Sequence, residues 1–292
     1  MANGDSPGNR LDPREQTFRV SSGCGNLQLF MRRLPGAAAG LGPLLYLHGA
    51  TFPSALSIAY RFAGRSWRDA LCDAGFDVWA LDFLGFGGSD RYPEMDEPAS
   101  AHGPLGLARH AVGQVEAAVN FICHHDGVPR LSLVTHSWGS MPAALFAIAH
   151  PTLVERIFMF APLSRREGPR YVPLPTLPAW KVVTNEQQWA RFVEDVPGGE
   201  PPVLSREDFE GWSEAYLDSD PGARERDPPG VKTPTGPLVE ILRAWHGALA
   251  WAPEKVETPI AIVRGDWDGV CTEDDTRWLF DRLVRARERR MS

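Results

Sequence analysis

Residues 130–149, RLSLVTHSWGSMPAALFAIA, constrain the fold more than any other part of the chain. A run of β-formers (Leu131, Leu133, Val134, Thr135) stops at His136-Ser137-Trp138-Gly139. From Ser140 the composition turns helical, with Ala143, Ala144, Leu145, Ala147, Ile148 and Ala149. A strand that ends at a serine, with a helix starting at once, describes a nucleophile elbow. The turn lifts Ser137 Oγ out of the sheet, and the helix N-terminus beneath it favours developing negative charge. Small residues are needed two places before and after the serine, because strand and helix nearly touch there. Gly139 meets the second requirement; Thr135 stands where glycine is usual, so the pattern is half present. The competing reading is an ordinary strand-to-helix loop with a capping serine.

The rest of the chain favours the elbow. Residues 17–22 and 27–33 are short β-rich runs around Gly23-Cys24-Gly25-Asn26, an opening hairpin. Residues 44–47 form a continuously apolar strand, as in a sheet covered on both faces, and it ends in His48-Gly49-Ala50-Thr51. A helix over 67–74 closes at Gly75. A strand over 76–81 runs into the glycine-rich loop 82–90, which begins at Asp82, and an amphipathic helix lies within 104–125. A strand over 156–160 follows the elbow helix. Regular alternation returns at 259–264, with a final helix over 273–285. Strands alternating with helices predict a mostly parallel, doubly wound α/β sheet with right-handed crossovers. His48-Gly49, Asp82 and Ser137 all fall at carboxyl strand ends, where such sheets carry function.

The interval 163–258 breaks the alternation. It is proline-rich and holds Trp180, Trp189, Trp212, Trp245 and Trp251, half of the ten tryptophans. A loop of that length without a function is implausible, so a helical cap over the strand ends, walling a pocket with aromatics, is expected. Helices are expected over 186–193 and 238–250. The domains are then a flexible arm, 1–16; the first part of the core, 17–162; the cap, 163–258; and the second part of the core, 259–292.

A net charge of −7 argues against a nucleic-acid partner. No apolar run reaches membrane-spanning length, and the first sixteen residues lack the apolar core of a signal peptide. Cys24, Cys72, Cys123 and Cys271 are scattered without metal-ligand spacing. Reduced thiols in a cytoplasmic protein are the simplest account, and no metal or cofactor is expected.

With LYLHGA, ALDFLGFGGSD, LVTHSWGS and AIVRGDWDGV in this order, the sequence resembles the α/β-hydrolase fold family from residue 17 onward. It looks closest to the lidded group of esterases, haloperoxidases, dehalogenases and epoxide hydrolases. The last two place aspartate at the nucleophile position, so Ser137 points to acyl transfer. The resemblance implies attack by Ser137 on an acyl carbonyl, with the backbone N–H groups of Ala50 and Trp138 as the oxyanion hole, supported by His48 and Gly49. It implies Asp268 as the triad acid, with Asp266 as its rival. His136 sits beside the nucleophile but points the wrong way to act as base. Asp82 ties its own glycine loop, and His124-His125 is a helix-end pair. The implied partner is a small-molecule ester or similar apolar substrate, and the tryptophan-rich cap suggests one of medium size.

One part of the family pattern is missing. No histidine follows Asp268; the last is His246, in the cap. RARERRMS, residues 285–292, carries no strand signal, so the eighth strand and closing helix are expected to be missing and the seventh strand to be a bare edge. Three accounts compete. The preferred one is a truncated or frameshifted serine esterase of low activity. The others are a catalytically dead homologue that binds a small apolar ligand, and an enzyme using His246 as a substitute base. Cofactor-free haloperoxidase or perhydrolase chemistry is a further alternative.

Overall fold

The computed structural model describes residues 12–36, 40–166 and 175–292. The chain opens with an antiparallel pair, β1 (Gln16–Ser21) and β2 (Gln28–Leu34), joined through left-handed Gly23 and Gly25. It then alternates β3 (Pro43–Leu47), α1 (Trp67–Asp73), β4 (Asp77–Asp82), α2 (Ala108–Asp126), β5 (Leu131–His136), α3 (Ser140–Ala149) and β6 (Val154–Phe160). After an insertion come β9 (Ile260–Val263), α7 (Glu273–Arg282) and β10 (Arg289–Met291). The sheet order is β1-β2-β4-β3-β5-β6-β9-β10, parallel from β4 onward. The order reverses around β3, so the loops after β3 and β5 open side by side at the carboxyl ends.

The sheet carries apolar residues on both faces. Leu133, Ile157, Met159, Ile260 and Ile262 face α2, α3 and α7 in the main core, which Trp138 and Phe146 complete. Leu44, Tyr46, Val78, Ala80 and Val134 form a smaller core under Cys72 of α1.

The end of the chain departs from expectation. Arg289–Met291 does pair, parallel, with β9, so the sheet has its eighth strand and the seventh is not a bare edge. The pairing is main-chain work: Ile260 N donates to the Glu288 carbonyl at 2.9 Å and Ser292 N to that of Ile262 at 3.0 Å. All three side chains of β10 are exposed, which leaves no apolar alternation for sequence reading to find.

The insertion carries a strand pair beside its helices. It contains α4 (Asn185–Val193), α5 (Arg206–Asp218) and α6 (Gly236–Trp245), and also an antiparallel pair, β7 (Trp180–Thr184) with β8 (Gly230–Pro234). Its tryptophans fill structure more than they wall a pocket. Trp212 is fully buried, stacks on Phe209 and Tyr216, and donates its indole N–H to the Leu56 carbonyl at 2.9 Å. Short helices with narrow apolar stripes need such large side chains to close a core of their own. Trp251 joins the main core, and Trp245 lies under the Arg166 guanidinium. Residues 167–174 of this interval, and 1–11 of the expected arm, lie outside the described residues.

The described end of that arm is not loose. Asp12 is buried and ion-paired with Arg14 and Arg61, and the Glu15 side chain is buried between Arg32 and Arg68. No helix among the described residues is long and apolar enough to cross a membrane.

Candidate active site

Ser137 has a φ of +51°, a left-handed conformation that costs a non-glycine residue about 1–3 kcal/mol. It ends β5 and opens a single 3₁₀ turn, Ser137–Gly139, that feeds α3. The turn is possible because Gly139 has no side chain. A Cβ there would lie 2.5 Å from the Leu47 carbonyl oxygen and 2.6 Å from that of His48, both backbone. Thr135, at the other tight position, is fully buried, and its hydroxyl has no partner among the described residues. That polar group is the local cost of threonine where glycine would fit.

The loop after β3 lies against the elbow. A Cβ on Gly49 would sit 3.3 Å from Ser137 Cβ and 3.2 Å from His136 Nδ1, so Gly49 borders the serine directly. His48, fully buried, holds this loop: Nδ1–H donates to the Gly49 carbonyl at 2.7 Å, and Nε2 accepts from Phe83 N at 3.0 Å. Both ring nitrogens are engaged, and burial lowers its pKa. Asp82 binds the glycine loop through Gly88 N, and the β3 loop through the Ser54 backbone N–H and hydroxyl. Ser137 Oγ has no hydrogen-bond partner among the described residues.

Asp268 and Asp266 are distinguished by their surroundings. Asp266 is exposed on its turn, whereas Asp268 is half-buried and its Oδ1 accepts from Val270 N (2.9 Å) and Cys271 N (2.8 Å). Burial pushes the Asp268 pKa up; Asp195 adds to the rise, while the two backbone N–H groups and Arg191 oppose it. Asp195 closes over this loop, since a Cβ on Gly269 would meet its Oδ1 at 2.5 Å. Asp268 Oδ2 accepts no hydrogen bond among the described residues.

None of the histidines considered as a base bonds Ser137 or Asp268 among the described residues. His136 is stacked on Phe160 (centroids 5.4 Å, 24°), with Phe52 nearby. His246 donates Nδ1–H to the Leu242 carbonyl of its own helix at 2.7 Å. His124 and His125 occupy the last turn of α2.

His136 carries a pH consequence. Burial first, then the neighbouring His48 and Arg191, brings its pKa down to about 4. The folded state therefore favours the neutral ring. Its contribution to stability is complete above the unfolded value of about 6.5 and is lost progressively as pH falls through 4. The loss over that window is on the order of 3 kcal/mol. His136→Phe, which keeps the stack, is expected to remove that part of the acid destabilisation in denaturant titrations at pH 7 and pH 4. Equal losses in both proteins would contradict it.

One residue at the site was not anticipated from the sequence. Glu240, buried in α6, accepts from the Trp138 indole N–H at 2.8 Å and from Ala108 N at 2.9 Å. Burial pushes its pKa up. It ties the insertion to the residue that follows Ser137 and to the start of α2. The only sequence signal is a carboxylate flanked by Val239 and Ile241 in an otherwise apolar helix stripe.

A family model for the alpha/beta hydrolase fold matches residues 42–195, just over half of the chain, and the chain belongs to that family. It is similar to human lipase member N, 25% identical over 136 residues, which are 45% of this chain and 34% of the lipase. The chain thus spans about a third of that curated relative. Among solved structures it resembles a thioesterase domain from the curacin biosynthetic pathway (TM-score 0.59, 14% identity, 95% of this chain and 92% of that one). It also resembles an epoxide hydrolase from Vigna radiata (TM-score 0.58, 16% identity, 97% and 92%).

Proposed function

We propose that this chain is built for carboxylic-ester hydrolysis through an acyl-enzyme on Ser137, with the backbone N–H groups of Ala50 and Trp138 as the oxyanion hole. The observation that carries the reading is the strained, unpaired Ser137 on its elbow, bordered by Gly49. That strain is retained because the surrounding packing over-determines it, a pattern typical of reacting groups. Asp268 is the triad acid: it is held by two backbone N–H groups and keeps one oxygen free for an imidazole N–H. The insertion acts as the cap, and Phe52 and Phe192 bring apolar surface toward the site, which suits a small apolar acyl group.

A second reading has its own support. With no described imidazole between Ser137 and Asp268, the same elbow and cap would serve equally as a binding site for an apolar ligand. The two separate on one measurement. After prolonged incubation with p-nitrophenyl butyrate, peptide mass mapping is expected to find a butyryl adduct on Ser137, absent in Ser137→Ala. Saturable quenching of tryptophan fluorescence without any adduct would favour the binding reading.

A further inference from the structure

Glu240 is a buried carboxylate to which the acyl-transfer reading gives no task. Burying such a group is unfavourable unless donors surround it. Two do: Oε2 accepts from the Trp138 indole N–H at 2.8 Å and from Ala108 N at 2.9 Å. Ala108 opens α2, whose N-cap residue, Leu107, makes no side-chain capping bond. Glu240 supplies that acceptor from another element, as an anion at a helix N-terminus. Capping accounts for one of its two bonds. The other goes to the residue after Ser137.

The bond to Trp138 matters because of what that residue carries. Its main-chain N–H is one of the two proposed oxyanion donors, and such donors act by being fixed before the reaction begins. Ser137 is held at a φ of +51°, and the turn that follows, Ser137–Gly139, is a single 3₁₀ turn. One turn makes few bonds of its own, so its neighbours must hold it. Gly139 lies against the Leu47 and His48 carbonyls. The Trp138 side chain is fully buried and held from two sides. On one side is Phe83, edge-on at 5.3 Å, whose main-chain N–H donates to His48, the residue that bonds the Gly49 carbonyl. On the other is Glu240. The loop that carries Ala50 and the turn that carries Trp138 thus share a support in Phe83, and Glu240 closes it from the insertion.

We propose that Glu240 is a positioning residue for acyl transfer: by holding the Trp138 indole, it fixes the Trp138 main-chain N–H where the oxyanion forms. The proposal rests on the reading of Ser137 as the nucleophile. It makes the insertion a working support of the elbow as well as its cover. Glu240→Gln keeps an acceptor oxygen in place, whereas Glu240→Leu keeps bulk and removes the acceptor. Trp138→Phe leaves a ring beside Phe83 and removes the donor.

The test follows butyryl incorporation at Ser137 by mass spectrometry over a range of p-nitrophenyl butyrate concentrations, on variants shown to be folded by circular dichroism. In Glu240→Leu the limiting acylation rate is expected to fall about tenfold or more, since a small misplacement of a reacting group is enough for that. The half-saturating concentration is expected to stay within about twofold, the mark of an interaction made in the transition state. Glu240→Gln is expected to acylate within about threefold of the parent, because the indole N–H keeps its acceptor. Trp138→Phe is expected to match Glu240→Leu, and the double variant to be no slower than either, because one interaction is lost once. In the ¹H–¹⁵N spectrum, the indole signal that Trp138→Phe deletes is expected to shift in Glu240→Leu and to stay in place in Glu240→Gln. Losses that multiply in the double variant, or parent-like acylation in Glu240→Leu, would confine Glu240 to capping α2 and overturn the proposal. If Glu240→Leu does not fold, parent-like acylation in Trp138→Phe is the overturning result. A parent chain that takes no butyryl group on Ser137 would overturn the reading of Ser137 itself, and the proposal with it.

Discussion

In buffer alone, the purified 292-residue chain is expected to turn over p-nitrophenyl butyrate far more slowly than an intact Ser-His-Asp enzyme would. Removing the triad histidine costs on the order of 10⁶ in kcat, because a serine without a base remains close to an ordinary alcohol. The proposed oxyanion donors and a held substrate are expected to leave roughly 10³–10⁴ over water. Free imidazole is expected to raise the rate. Ser137 Oγ is unpaired, and Asp268 keeps one oxygen open to receive an imidazole N–H, as a third group orienting a base does. The increase should follow the concentration of neutral imidazole as pH is raised through 7. Imidazole attacks such esters unaided, so the informative quantity is the excess over Ser137→Ala under identical conditions. An excess that vanishes in Asp268→Asn as well assigns both residues together. If imidazole gives no excess over Ser137→Ala, Ser137 is not the nucleophile. A fast rate without imidazole would mean that a base already lies within reach, and His246→Ala is then the discriminating variant.

What sequence reading found and missed divides along physical lines. The elbow was legible because its geometry demands particular residues: an apolar strand, then a serine, then Gly139 where any Cβ would strike the β3 backbone. Asp268 was separable from Asp266 only by motif position; what distinguishes them in the fold is a turn that buries one and exposes the other. α5 and the β7–β8 pair were missed. The interval is broken by prolines, and its helices hold together through a few stacked aromatics, not through long apolar stripes. β10 left no trace because three exposed side chains, two of them arginine, carry no alternation. Main-chain bonding is invisible to composition. Glu240 and Glu15 were missed for a shared reason. A buried carboxylate is legible only once the indole or guanidinium that satisfies it is known, and those partners lie 102 and 17 or 53 residues away.

Glu15 carries the second large effect. Its side chain is 2% exposed and takes an ion pair from each of two arginines, Arg32 at 3.0 Å and Arg68. Arg32 and Arg68 are themselves buried, at 6% and 2% exposure, so removing the carboxylate leaves neither with a carboxylate partner among the described residues. Breaking a buried pair this way costs about 3–5 kcal/mol. Glu15→Ala is expected to lower the denaturation midpoint accordingly, with Glu15→Gln between it and the parent because one acceptor survives. The effect should also reach the site. Arg32 Nε donates to Ser54 Oγ at 3.0 Å, and Ser54 Oγ donates to Asp82 at 2.6 Å, so the chain from Glu15 ends in the loop that carries Ala50. Glu15→Ala should therefore slow acylation of Ser137 under conditions where the variant is still fully folded by circular dichroism. Unchanged acylation with lowered stability would confine Glu15 to anchoring the hairpin. Unchanged stability would mean that solvent or a neighbouring group takes over the arginines, and that the network from Glu15 to Asp82 does not hold the loop.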